Sequence, residues 1–329
     1  MGTEKHAKII LACANEGEWL RLTVESILEN TDYPSFEVVI SANGDEHTDF
    51  SFVKLAGCRG RVSLRESTDF LGIGGARNAG VEPGDAEYYI FLDAHCLVED
   101  RSWLRRAVAC LDAHPGISMV QPEVQEFTYP GSPAPREPID PSRLRRLLHC
   151  EYSVRWAWPY GEPYLLTEPM TRLAAPEPWE AMAGAGMASF MRAETFHRLG
   201  RFDVEVHGWF HETMDYCVRA WLLGFPMLSD PSIRVLHLRK TEAVKYPRNY
   251  VSMFHGLLRT AYKYLSPRRM DLAEVLLRRH GRDSEVDQAL ELVERGNWLA
   301  ERSAHAKARL HDDDWLFAKF GVYEEPFAG

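Results

Sequence analysis

Tyr88-Tyr89-Ile90-Phe91-Leu92-Asp93-Ala94-His95-Cys96 decides how the chain is read. Its unbroken apolar start predicts a strand over 88–92 that is buried on both faces. A carboxylate and an imidazole stand directly at the strand's end. In an extended chain residues i and i+2 point the same way, so Asp93 and His95 converge on one point. A carboxylate oxygen with an imidazole nitrogen suits Mn²⁺ or another divalent cation of intermediate hardness, and two ligands leave positions open for a diphosphate. Taken alone, Asp-x-His also fits a strand-end aspartate that caps the next turn.

Upstream, strand and helix signals alternate. The apolar run Ile9-Ile10-Leu11 leads to Asn15, placed as an N-cap with Glu18 three residues on. Leu20, Thr23, Val24, Ile27 and Leu28 keep helical spacing until the stop at Asn30 to Pro34. Phe36-Glu37-Val38-Val39-Ile40 predicts a second strand, closed by Asn43-Gly44-Asp45, and residues 61–64 a third. Continuously apolar strands between helices predict an α/β chain with a parallel, covered sheet, whose ligands bind beyond the strands' carboxyl ends. Downstream come a helix over 102–113, a strand over 117–121, and a proline-rich loop or subdomain switch over 128–141. The aromatic stretch 156–179 reads as surface loops; its Trp156, Trp158, Tyr160 and Tyr164 suit stacking on a sugar, gripping a peptide or plain packing. Residues 181–189 read as small and flexible, 211–223 as a helix, and everything from Tyr250 onward as helical and highly charged.

His237 ends the short apolar run from Pro231, so a neighbouring strand would supply it as a third ligand. As one of thirteen histidines it equally suits a structural role. Glu212, Asp215 and Arg219 follow i, i+3, i+7 spacing and are expected on one helix face, with the acids favoured at the helix start. A salt-bridged surface gives the same pattern. Trp209, just upstream, reads as a pocket wall or as packing. Leu71 to Gly80 contains Gly72-x-Gly74 but then Arg77 where a dinucleotide fingerprint needs glycine, and about seventy residues precede it. A nicotinamide cofactor is therefore remote, and an arginine on a short helix facing a diphosphate accounts better for the segment.

Composition bounds the rest. The chain has 329 residues, 45% of them hydrophobic and 26% charged, an ordinary globular balance. Lys and Arg number 38 against 48 Asp and Glu, a net charge of −10, which argues against a nucleic-acid partner. No apolar run approaches the roughly 20 residues of a spanning helix. The six cysteines have no CxxC spacing, so reduced thiols are expected.

Several of these pieces occur in a known order: Asn15-Glu16 with Leu22-Thr23-Val24 and Ser26-Ile27-Leu28; Phe91 to Cys96; Ala183-Gly184-Ala185-Gly186; Trp209 to Asp215, continuing to Arg219-Ala220-Trp221; and Pro231 to His237. From about residue 7 to 265 the chain resembles the nucleotide-sugar glycosyltransferases of the GT-A fold. The likeness is greatest to the catalytic domain of the polypeptide N-acetylgalactosaminyltransferases, with family 2 glycosyltransferase features. The resemblance implies a Rossmann-like mixed sheet with flanking helices. It places a GT-A catalytic domain at 1–265, with a nucleotide-binding half near 1–125 and a donor-sugar and acceptor half near 142–265, and a helical C-terminal extension at 266–329.

By the same resemblance, Asp93, His95 and His237 hold a divalent metal, Mn²⁺ first and Mg²⁺ as the alternative. Arg77 contacts the diphosphate or sugar. Gly184, Gly186, Trp209 and Glu212 line the sugar pocket, and Asn15, Glu16, Ala94 and Arg239 complete the donor-binding set. The paired acids that help hold the nucleoside in relatives are replaced by Ser41–Asp45, with Asn43 or Asp45 as substitutes. The segment carrying Arg239, Lys240 and Asn249 is a lid over the donor. Glu212, Asp215 and Trp209 are the catalytic candidates. The implied reaction moves an N-acetylhexosamine or hexose from a UDP-sugar, with retention, to a peptide, natural product or glycan. Inversion with Asp215 or Glu212 as base is the alternative; a non-catalytic nucleotide-sugar-binding module is another. With no lectin-type repeat and no membrane anchor, a soluble, cytoplasmic, bacterial protein is expected.

Overall fold

Apolar strands and covering helices build the first half of the chain. In a computed structural model, β1 (Ala7–Cys13), β2 (Phe36–Asn43), β3 (Val62–Ser67) and β4 (Tyr88–Asp93) lie in the order β3-β2-β1-β4, all parallel. Parallel neighbours need crossovers that cover the faces. Two of these carry α1 (Glu18–Glu29), which buries its Trp19, Leu20, Thr23, Val24 and Ile27 stripe, and α2 (Gly72–Gly80). The structure describes residues 5–55, 57–58, 60–82, 86–129, 177–184, 186–206, 211–239, 250–279 and 281–321, plus the strand segments 145–146, 154–155 and 166–167. Residues 130–141, the aromatic residues Trp156, Trp158, Tyr160 and Tyr164, and Ala185, Trp209, Lys240 and Asn249 lie outside them.

Beyond β4 the chain forms β5 (Cys96–Leu97), α3 (Trp103–Ala113), β6 (Met119–Thr128), β7 (Arg145–Arg146), β8 (Val154–Arg155), β9 (Leu166–Thr167) and β10 (Trp179–Glu180). Then come β11 (Ala188–Arg192), α4 (Ala193–Arg198), α5 (His211–Leu222) and β12 (Met227–Leu238). The main sheet runs β10-β12-β6-β11-β4-β1-β2-β3. β11 is antiparallel to both β4 and β6, so the sheet is mixed, as the resemblance implied, rather than parallel throughout.

Two local expectations are corrected. Asn15 is not the N-cap of α1, which begins after Gly17. Asn15 and Gly17 both take positive φ, and the turn they make is held by the loop after β2, so the helix starts later. The described residues of 181–189 are packed rather than loose: Met182, Ala183 and Met187 are buried, and the end of the stretch enters β11. Its small residues answer to crowding. A Cβ on Gly184 would lie 3.0 Å from Met119 Cε and 3.1 Å from Gln121 Oε1.

The C-terminal part is helical, as expected: α6 (Tyr250–Tyr264), α7 (Pro267–Arg278), α8 (Asp283–Arg295), α9 (Trp298–Ala308) and α10 (Asp313–Phe320). No helix among the described residues is long and apolar enough to cross a membrane. Cys13, Cys58, Cys96, Cys110 and Cys217 are buried free thiols.

A buried charge network fastens these helices to the sheet domain. Lys263 of α6 reaches Asp215 of α5 at 2.5 Å and also pairs with Asp203. Arg259, one turn earlier, bonds Asp203 at 2.9 Å and Glu301 of α9 at 2.9 Å. Burial acts to raise the Asp203 carboxyl, but Lys263 and Arg259 outweigh it and hold it well below the ordinary carboxylate range. Removing one partner of such a network leaves uncompensated buried charge. Lys263→Met is therefore expected to cost about 3–5 kcal/mol in urea unfolding at neutral pH. A depressed carboxyl contributes stability above its unfolded value and loses it as pH falls. The gap between wild type and Lys263→Met should therefore narrow below about pH 4.

Candidate metal and donor site

Asp93 is the last residue of β4, and Ala94 and His95 make the turn into β5. β5 pairs antiparallel with β12 in a register that sets Cys96 opposite His237. A residue 142 positions away is thereby laid beside His95, whose Nε2 is 3.1 Å from His237 Nε2. Asp93 Oδ2 lies 3.5 Å from His237 Nε2 and 4.0 Å from His95 Nε2. One ligand atom from each of the three residues falls within 4.8 Å of the other two. On its far side, His95 Nδ1 sits 3.1 Å from the Glu16 carboxylate, which orients the ring and leaves Nε2 for the site. Burial would raise the Asp93 carboxyl, yet His237, His95 and Arg77 hold it down to about 2. The three expected ligands are brought together, and one oxygen with two imidazole nitrogens fits a divalent transition ion. Ala94 is buried between its neighbours.

Arg77 links this cluster to α5. Its Nη2 donates to Asp93 Oδ1 at 3.1 Å and to the Gly186 carbonyl at 2.5 Å. Its Nη1 donates to Glu212 Oε1 at 2.8 Å and to Thr213 Oγ1 at 3.3 Å. The guanidinium carbon also lies 5.6 Å from the Phe202 ring centre, and the side chain is only 2% exposed. Burial pushes the Glu212 carboxyl up, and Arg77 opposes that shift. Glu212 Oε2 is buried with no hydrogen-bond partner among the described residues. The glycines of 72–80 serve packing here. A Cβ on Gly74 would sit 3.1 Å from the Asp203 carbonyl and 3.3 Å from Glu212 Cβ, so glycine lets α2 close on α5 and Arg77, one turn on, reach Glu212.

The remaining expected residues divide. Asn43 accepts from Leu71 N at 2.6 Å and donates to the Gly72 carbonyl, fixing the start of α2. Asp45 accepts from Cys13 Sγ, Asn15 N and the Thr48 hydroxyl, while the Asn15 side chain accepts from Glu46 N, so these residues knit the loops after β1 and β2. Both Gly184 and Gly186 are buried; Gly186 gives its carbonyl to Arg77, whereas Gly184 lies against Met119 and Gln121. Arg239 lies 3.6 Å from Glu126. The shared face expected for Glu212, Asp215 and Arg219 holds for Asp215 and Arg219, which lie 3.7 Å apart, and is corrected for Glu212. Three residues advance a helix to within about 60° of a full turn, enough to send neighbours apart. Glu212 meets Arg77, whereas the fully buried Asp215 faces Lys263 and accepts from Tyr264 Oη at 3.3 Å. Arg219 donates to the Arg201 carbonyl.

Sequence reasoning passed over Thr213, Phe202, Asp203, Arg259 and Lys263. The last two carried a signal, being cations spaced i, i+4 within the apolar stripe Phe254, Leu257, Leu258, Ala261.

Residues 8–163 match the family model described as Glycosyl transferase family 2. The chain is 25% identical over 275 residues to polypeptide N-acetylgalactosaminyltransferase 11 of Xenopus tropicalis, covering 79% of this chain and 42% of that protein. It is 22% identical over 267 residues to the inactive polypeptide N-acetylgalactosaminyltransferase-like protein 5 of Macaca fascicularis, covering 78% and 57%. The chain thus spans about half the length of the curated relatives it matches, and these two are animal proteins. Among solved structures it superposes on GalNAc-T7 with UDP, GalNAc and Mn²⁺ at a TM-score of 0.66 and 18% identity, covering 98% of this chain and 57% of that one. The chain therefore has the GT-A glycosyltransferase fold, and its residues 8–163 are similar to the glycosyl transferase family 2 model.

Proposed function

We propose that the protein is a metal-dependent glycosyltransferase that moves an N-acetylhexosamine or hexose from a UDP-sugar, with retention of configuration. The observation that carries this reading is the convergence of Asp93, His95 and His237 at the carboxyl end of the central strands. Asp93, His95 and His237 would hold the divalent ion, with Mn²⁺ the first choice. Bound there, the ion supplies charge stabilisation to a departing diphosphate. Glu16 keeps His95 turned toward the site. Glu212 offers the buried Oε2, an acceptor suited to a donor-sugar hydroxyl.

Retention is favoured over inversion through Asp215, which is committed to Lys263 and Tyr264; Glu212 commits only Oε1, to Arg77 and Thr213, and its Oε2 is the acceptor assigned here to the donor sugar. In retention, the departing phosphate oxygen takes the acceptor's proton and no protein base is needed. The similarity to a relative named inactive favours a second reading, a nucleotide-sugar-binding module without turnover. The complete Asp93, His95, His237 and Glu212 set supports activity instead.

Purified protein incubated with a panel of UDP-sugars and Mn²⁺, without acceptor, should release UDP slowly from one donor. Chelation should stop this, and Asp93→Asn should reduce it on the order of 100-fold or more. Release that is indifferent to both would sink metal dependence. If there is no release, and Mn²⁺ with UDP also leaves the melting temperature unchanged, the donor site itself is refuted. Glu212→Ala should raise the donor KM roughly 10- to 100-fold, the value of one hydrogen bond to a charged acceptor, with Mn²⁺ affinity unchanged. Once an acceptor is in hand, NMR of the product's anomeric centre distinguishes retention from inversion.

A further inference from the structure

The Arg77 guanidinium touches two carboxylates that come from different elements and serve different ends of the proposed site. It takes one oxygen from each: Oδ1 of Asp93 at 3.1 Å on Nη2, and Oε1 of Glu212 at 2.8 Å on Nη1. The other oxygen of each is thereby turned away from it. Asp93 Oδ2 is the atom that faces His237 and His95, and Glu212 Oε2 is the buried acceptor with no partner among the described residues. Both Nη atoms, the two ends of the fork, are engaged by protein; only Nε has no partner among the described residues, and the side chain is 2% exposed. A residue so enclosed acts through its partners rather than on a donor directly.

We infer that Arg77 is a positioning residue that fixes the rotamers of Asp93 and Glu212 together, presenting one oxygen to the metal and one to the donor sugar. The inference rests on the metal-dependent reading above and assigns Arg77 a role different from direct contact with the diphosphate. Its chemistry depends on a planar fork. Guanidinium nitrogens in a fixed plane can hold two carboxylates at a set angle, which a single ammonium on a flexible stem cannot. The packing agrees with this need. Gly74 allows α2 to approach α5, Thr213 braces Glu212 Oε1 at 3.0 Å, and the Gly186 carbonyl takes a second bond from Nη2.

The discriminating experiment uses Mn²⁺ alone, with no donor, and follows the free-ion signal by electron paramagnetic resonance. If Arg77 orients Asp93, Arg77→Lys should weaken Mn²⁺ binding about tenfold or more, the usual cost of losing a partner of a metal ligand. If Arg77 acts only on a bound donor, the Mn²⁺ affinity will be unchanged, and that result, or a tighter affinity, overturns the inference. Wild type that binds no Mn²⁺ overturns the metal-dependent reading and this inference with it, whereas wild-type binding with an unchanged variant overturns the inference alone. Circular dichroism checks that Arg77→Lys is folded. Should it not fold, Arg77→Gln with Glu212→Gln removes the opposing buried charges together, and is compared with Glu212→Gln alone. The same loss of Mn²⁺ affinity is expected between those two, and equal affinities reject the role.

Discussion

The site depends on one short register, the antiparallel pairing of β5 with β12 that sets Cys96 opposite His237. Side chains alternate along a strand, so a slip of one residue would replace His237 with Leu236 or Leu238 on the site face. Two residues of β5 are too few to hold such a register unaided. Leu236 and Leu238 face the other way, into a separate apolar cluster with Trp19, Phe127 and Tyr129. Backbone bonds from Leu238 N to the His95 carbonyl and from Arg239 N to the Phe127 carbonyl extend the pairing at 3.2 and 2.8 Å. Burial of apolar side chains on one face of β12 thus fixes a metal-ligand geometry on the other.

With the register set, the remaining problem is charge. Asp93, Glu212 and Asp215 are acids in or beside the core, and each is answered by a buried cation from another element. Arg77 comes from α2, on the side of the parallel strands. Lys263 comes from α6, on the side of the C-terminal helices. Helix α5 is therefore gripped from both flanks, with Glu212 at the first grip and Asp215 at the second. Arg259 and Glu301 carry the second grip on to α9, so the helix that offers Glu212 is steadied by residues far along the chain.

Much of this was legible in the sequence, and the reasons differ by residue. β4, α5 and the end of β12 announced themselves through apolar runs, and Asp93, His95 and His237 through their chemistry at strand ends. Asn15 was misplaced because a competing partner, the Asp45 and Thr48 loop, took the turn that a cap would have occupied. The face of α5 was misassigned because partners from α2 and α6, distant in sequence, pull Glu212 and Asp215 to different sides. The small residues near 184 read as loose in the sequence because composition does not reveal what presses on a backbone, here Met119 and Gln121.

An acid's place in a sequence motif says little about whether it can accept a proton; what counts is which lone pairs folding leaves over. One oxygen of Asp215 meets the Lys263 ammonium, and the other meets Tyr264 at 3.3 Å and Arg219 at 3.7 Å. Using it as a base would mean breaking an ion pair inside the protein, where the charge left behind has no water to turn to. Glu212 and Asp93 each surrender one oxygen to Arg77 and keep the other. The two oxygens that remain, Oε2 of Glu212 and Oδ2 of Asp93, are held on either side of one guanidinium.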